Sequence, residues 1–225
     1  MFFFIGLYSR VVKLKLENPT LKILLSVGGV DAKLFSEMAG NSEKRTNFVQ
    51  STRIFIETFS FDGLDIDWEK PDANDAVRYV CNFTKYVDIF NVMCYNYYGA
   101  WSAYTGQNAA LFEASIESSY EKHNLNVAAS VQNWIDAGAP KEKLVIGIPF
   151  YGRSFTLLDA DDHGLHAPIS GAGIRVTPTY SQICADYNNW TTVWDNEQKS
   201  PYKYSGDQWL GYDDERSVRL KVTVN

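Results

Sequence analysis

The stretch Phe61-Asp62-Gly63-Leu64-Asp65-Ile66-Asp67-Trp68-Glu69 decides how the rest of the 225-residue chain is read. Beyond its glycine, acids at 65, 67 and 69 alternate with Leu64, Ile66 and Trp68, a period of two that predicts a β-strand. On a strand the acids share one face, with successive carboxylates about 6–7 Å apart along it. Aspartate is disfavoured in strands, and a buried carboxylate is costly unless it is paired, protonated or in use. Three acids on one face therefore point to a chemical site rather than to a solvated edge strand.

Upstream, Leu21 to Gly29 is a continuous apolar run closing on Gly28-Gly29, which reads as a buried parallel strand. Between the two strands, Phe35 to Phe59 has helical spacing, with Phe48, Ile54, Phe55 and Phe59 expected in the core. Strand, helix, strand is the repeating unit of a parallel α/β fold. Leu7 to Glu17 is helix-compatible and stops at Asn18-Pro19. The apolar start Met1 to Leu7 lacks a basic region and a small-residue cleavage site, so it reads as a truncated strand rather than a signal peptide.

Downstream, Lys85 to Tyr95 reads as another strand, and the interval after Glu69 has room for one crossover but not for two with a strand between them. Asn126 to Ala137 is an amphipathic helix closed by Gly138. Lys143 to Arg153 reads as a strand whose Gly147, Pro149, Tyr151 and Arg153 share a face. From Ser154 to about Asp214 the composition turns to Gly, Pro, Tyr and Trp, and Ser217 to Val224 begins a helix.

A net charge of −6 with no basic patch argues against nucleic acid. No apolar run reaches the roughly 18 residues that would suggest a membrane span. Cys81, Cys94 and Cys184 form no CxxC, and His123, His163 and His166 form no ligand spacing, so no metal or cofactor is expected. Asn82-Phe83-Thr84 and Asn189-Trp190-Thr191 are glycosylation sequons that agree with secretion.

The acidic stretch, as Asp62-x-x-Asp65-x-Asp67-x-Glu69, resembles the fourth-strand signature of family 18 glycoside hydrolases, the chitinases and their chitin-binding relatives. Ser26-x-Gly28-Gly29 is similar to the family's third-strand motif, Met93-x-Tyr95-Asn96-x-x-Gly99 to its sixth, and the run ending in Tyr151-Gly152-Arg153 to its seventh. The resemblance implies an α/β fold, a partial (β/α)8 TIM barrel with strands three, four, six and seven recognisable. Residues 1–153 would be the barrel part, 154–214 a small α+β insertion and 215–225 the start of a barrel helix, with the fifth strand missing and the chain stopping before the eighth.

The resemblance also implies hydrolysis of β-1,4 links between N-acetylglucosamine units with retention, the substrate supplying its own nucleophile. Glu69, Asp67, Asp65 and Tyr95 would be catalytic; Asp62, Met93, Asn96, Trp101, Tyr151 and Arg153 would bind substrate. Asn96 departs from the family, which usually places Asp there. The cysteine that usually pairs with the one at Cys184 lies beyond the chain. The expected partner is chitin or its oligosaccharides, the location extracellular and the state monomeric. A non-catalytic chitin-binding lectin and an inactive, incomplete product are the rival readings.

Overall fold

Strand β1 (Leu24–Gly29) pairs in parallel with β2 (Gly63–Trp68), Leu24 opposite Gly63 through Gly29 opposite Trp68. The computed structural model describes residues 2–29, 32–69 and 84–223, and the chain forms two compact units, Met1–Tyr79 and Val80–Asn225. The connector beyond Glu69, with Cys81 and the Asn82-Phe83 part of the first sequon, lies outside the described residues.

In the first unit α1 (Phe2–Val12), α2 (Ala32–Gly40) and α3 (Ser42–Phe59) accompany the strand pair. Asn41 starts α3 by accepting hydrogen bonds from the backbone N–H groups of Glu43 and Lys44 at 2.9 and 3.0 Å, and Ser60 ends it in the left-handed region at φ 60°. Tyr8 packs edge-on against Phe55, Phe59 and Phe61, with ring centroids 5.4 to 5.7 Å away.

Three expectations need correction here. The apolar start is helical from Phe2, not a strand; a short apolar run fits either period, and Tyr8 shows which one the packing against α3 selects. The Phe35–Phe59 stretch is two helices broken at Asn41, and Ile54 is 64% exposed rather than a core residue. β1 is a parallel strand but is only partly covered, since among the described residues it pairs with β2 alone.

In the second unit β3 (Phe90–Val92) pairs in parallel with β4 (Leu144–Ile146). The helix predicted at Asn126 is α5 (Val127–Asp136), following α4 (Ser119–Asn124). The Asn126 side chain caps α5 through Ala129 N at 2.8 Å, and Gly138, at φ 96°, supplies the left-handed residue after it. Leu220 of α7 (Glu215–Thr223) and Trp134 of α5 pack on Val92, Cys94, Leu111 and Val127.

The strand expected over Lys143–Arg153 is interrupted. Its last ladder bond runs from Gly147 N to Val92 O at 2.8 Å, and Pro149 has no N–H to continue it. The chain resumes as β5 (Arg153–Leu157) in a second, antiparallel sheet of order β6-β5-β9-β8-β7, with β6 Ile169–Ala172, β7 Thr191–Asp195, β8 Ser200–Ser205 and β9 Gln208–Gly211. Phe155 and Trp209, both fully buried, are the centre of its core, and α6 (Tyr180–Asp186) packs Ile183 against Leu210.

A buried acid network joins α4 to that sheet. The Tyr98 hydroxyl lies 3.2 Å from Glu117 and 3.0 Å from Glu121, Tyr104 donates to Glu121 at 2.5 Å, and Gln198 donates to Glu117 at 2.9 Å. Burial raises the Glu117 pKa. At Glu121 burial also works to raise it, but hydrogen bonds from Ser118, Tyr104 and Tyr98 outweigh burial and hold it at about 2. A depressed carboxylate contributes stability that is present above its unfolded pKa of about 4.3 and is lost as pH falls towards the folded value. Urea denaturation of the wild-type chain between pH 6 and pH 2 is therefore expected to show a steeper loss below about pH 4.3 than the same series on Glu121→Gln. Parallel slopes would remove Glu121 from this role.

Candidate active site

The four acids around β2 divide into two groups. Asp62, before the strand begins, accepts from Ile23 N at 2.8 Å and pairs with Lys15 Nζ at 2.6 Å. The Lys15 and Ile23 bonds hold its carboxyl below the usual range. About 20 Å of strand separates it from Glu69, and these contacts make Asp62 a clamp between β2 and the chain entering β1. Asp65, opposite Ser26, accepts that hydroxyl's hydrogen bond at 2.6 Å.

Asp67 and Glu69 lie at the C-terminal end of β2, partly exposed, and neither carboxylate has a hydrogen-bond or ion-pair partner among the described residues. Asp67 sits opposite Gly28, whose φ of 147° and close approach exclude a side chain: a Cβ built there would run into the Asp67 carbonyl. Trp68, alternating to the other face, stacks on Phe35 with ring centroids 5.8 Å apart.

In the second unit the chain leaves β3 through Met93, Cys94, Tyr95 and Asn96. Met93 is 47% exposed, whereas Cys94 is buried and its thiol is pushed up to about 11 by that burial. Asn96 is held in the left-handed region at φ 62°, which Asn and Asp tolerate. Its Oδ1 accepts three hydrogen bonds: from Tyr151 OH at 2.7 Å, Arg153 Nη2 at 2.7 Å and Arg153 Nε at 3.1 Å. The Arg153 guanidinium lies 4.9 Å from the ring centroid of Trp101 and 5.6 Å from that of Tyr151. Trp101 is 62% exposed, and Tyr95 meets Tyr151 edge-on at 6.3 Å. The fold thus brings Tyr95, Asn96, Trp101, Tyr151 and Arg153 into one cluster.

Three donors on one amide oxygen form an arrangement suited to a carboxylate. Asn96→Asp is expected to stabilise the chain by about 1 kcal/mol, because the guanidinium bonds become charge-assisted at a partly exposed site and the backbone conformation is shared. Urea denaturation checks this; a loss of stability would mean that the Asn96 amide nitrogen is needed where it is.

Asn108 escaped the sequence reading. Its side chain is buried, accepts from Asn96 N at 3.0 Å and donates to the Tyr151 carbonyl at 3.0 Å, joining the backbones of the two segments that carry the cluster. Two glycines give the aromatic rings their space: a Cβ on Gly99 would strike Trp101, and one on Gly147 would strike Tyr95. Among the described residues no group of His, Cys, Asp and Glu could hold a metal ion, and Cys94 and Cys184 are unpaired. No described helix is long and apolar enough to cross a membrane.

The model of the glycosyl hydrolases family 18 matches residues 3–84 and 74–225. A probable endochitinase of Caenorhabditis elegans is 32% identical over 270 aligned positions, covering 96% of this chain and 43% of the relative. Among solved structures, the Ostrinia furnacalis Group IV chitinase in complex with allosamidin matches with a TM-score of 0.84 and 33% identity, over 96% of this chain and 72% of that one. Human YKL-39, described as a pseudo-chitinase with retained chitooligosaccharide binding properties, matches with a TM-score of 0.85 and 30% identity, over 97% of this chain and 74% of that one.

The chain belongs to glycosyl hydrolase family 18 and has that family's TIM-barrel-like fold. It spans about half the length of the curated relatives it matches. The 270 aligned positions take in 96% of the chain's 225 residues, about 216, so about 54 (270 less 216) have no counterpart here. The family model is matched in two pieces that meet at 74–84, between β2 and β3.

Proposed function

We propose that this chain is a chitinase-like glycoside hydrolase that cleaves β-1,4 links between N-acetylglucosamine units with retention. The observation that carries the reading is the division of the acids on β2. Asp62 and Asp65 are bound to Lys15, Ile23 and Ser26, whereas the carboxylates of Asp67 and Glu69, at the strand's C-terminal end, have no partner among the described residues; that is the end at which barrel enzymes do their chemistry.

In this reading Glu69 protonates the leaving glycosidic oxygen and then takes a proton from water. Asp67 orients the substrate's acetamido group, whose carbonyl oxygen attacks the anomeric carbon, and Asp65, steadied by Ser26, supports Asp67. The second unit is read by itself as a sugar-binding surface: Tyr95 donates a hydrogen bond to an acetamido oxygen, Trp101 offers its exposed ring to a sugar face, and Asn96, Tyr151 and Arg153 with Met93 complete that unit's own surface. The protein acts outside the cell as a monomer, without metal or cofactor. Residues 1–153 are the barrel part, 154–214 an insertion and 215–225 the start of a barrel helix; the positions without counterpart hold the family's fifth strand.

Asn96, where the family usually has Asp, favours a second reading as a chitin-binding lectin like YKL-39. Titrating the chain with tetra-N-acetylchitotetraose while following tryptophan fluorescence and reducing-end release separates the two. Quenching that disappears in Trp101→Ala, together with product, is expected. Quenching without product selects the lectin, and neither signal overturns both readings.

A further inference from the structure

The second sequon, Asn189-Trp190-Thr191, supplies no residue to the site, and only its middle residue, Trp190, packs against the core. Asn189 is exposed in the turn between α6 and β7, and no hydrogen bond engages its side chain among the described residues. Its neighbours fix the turn around it. Trp190 N donates to the Tyr187 carbonyl at 3.2 Å, and the Trp190 ring packs edge-on against Tyr187 with centroids 4.6 Å apart. Thr191, whose hydroxyl completes the sequon, is exposed at the first position of β7. The aromatic residue of the triplet is thus anchored while the two residues needed for modification face solvent.

Among the described residues β7 is also an outer strand of the five-stranded sheet, paired only with β8, and its first two residues, Thr191 and Thr192, are exposed. An unpaired strand edge is a template for association with another chain unless something blocks it. A bulky hydrophilic group at the residue two before the strand would stand at the end of that edge.

We propose that Asn189 carries an N-linked glycan that shields the free edge of β7. The group transfer joins Asn189 Nδ2 to the anomeric carbon of a lipid-linked pyrophosphate oligosaccharide. The bond from that carbon to the pyrophosphate oxygen breaks, the pyrophosphate lipid leaves with the electron pair, and one amide proton is released. The proposal shares with the proposed function only its extracellular location and is independent of hydrolysis.

The test is cell-free translation of the full chain behind a secretion leader with microsomes, read in the protease-protected pool. The wild-type chain is expected to migrate one glycan above Asn189→Gln and above Thr191→Ala, and Thr191→Ser to retain the upper band; an Asn82 glycan would be common to all four. Wild type and Asn189→Gln running together would overturn the assignment. The shielding role is read on secreted protein at matched concentration: light scattering on warming should begin earlier for Asn189→Gln, and earlier also for enzymatically deglycosylated wild type. Coincident onsets would leave the glycan without that role and overturn that part of the proposal.

Discussion

Glu69→Gln is expected to lower the rate of chitooligosaccharide hydrolysis by about 100- to 10,000-fold, the range general acid–base catalysis supplies, while leaving tetrasaccharide binding within about twofold of wild type. Glutamine keeps the size and the hydrogen-bonding reach of the side chain but has no proton to deliver to a leaving oxygen. The fold should tolerate the change, because Glu69 follows the last residue of β2 and no described hydrogen bond depends on it. Parallel losses in binding and rate would point to a structural role instead. A hydrolysis rate within tenfold of wild type would remove Glu69 as the acid.

Asp213→Ala is expected to destabilise the second unit by about 3–5 kcal/mol, the usual cost of leaving one member of a buried ion pair alone. Lys221 Nζ lies 2.6 Å from both carboxylate oxygens of Asp213, and both side chains are almost completely buried. Ser217 Oγ donates to the same carboxylate at 2.7 Å. Burial lowers the Lys221 pKa although Asp213 works to raise it, so the ammonium depends on its partner. Lys221 is one residue from Leu220, which packs against the core cluster that includes Val92 and Cys94, so the damage should extend to the strand that leads into Tyr95 and Asn96. Asp213→Leu with Lys221→Met, which leaves no charge stranded, should recover most of the loss. Urea denaturation of the three forms checks this; a single variant within about 1 kcal/mol of wild type would show that the pair is not a keystone.

What could be read from the sequence was what local pattern carries. The period of two placed the acids on one strand, and Asn126 and Gly138 bracketed α5, because alternation and caps are properties of neighbouring residues. The partners of Asp62, Lys15 and the Ile23 amide, are 47 and 39 residues away along the chain, and no local signal announces them. Asn108 was missed for the same reason: a buried amide spanning two backbone segments has no spacing rule. Pro149 was the available sign that the strand toward Arg153 would break, and the apolar neighbours on either side masked it. The helix at Phe2 could not be distinguished from a strand in so short a run, and it took the aromatic packing of Tyr8 to decide it.

The most direct measurement of the central claim is the anomeric form of the first product, followed by proton NMR as the wild-type chain acts on tetra-N-acetylchitotetraose. Assistance by the acetamido group, with Glu69 as acid and then base, predicts that the β-anomer appears first and converts to the equilibrium mixture afterwards. An α-anomer appearing first would contradict it, and so would the absence of any product from a folded chain that binds the sugar.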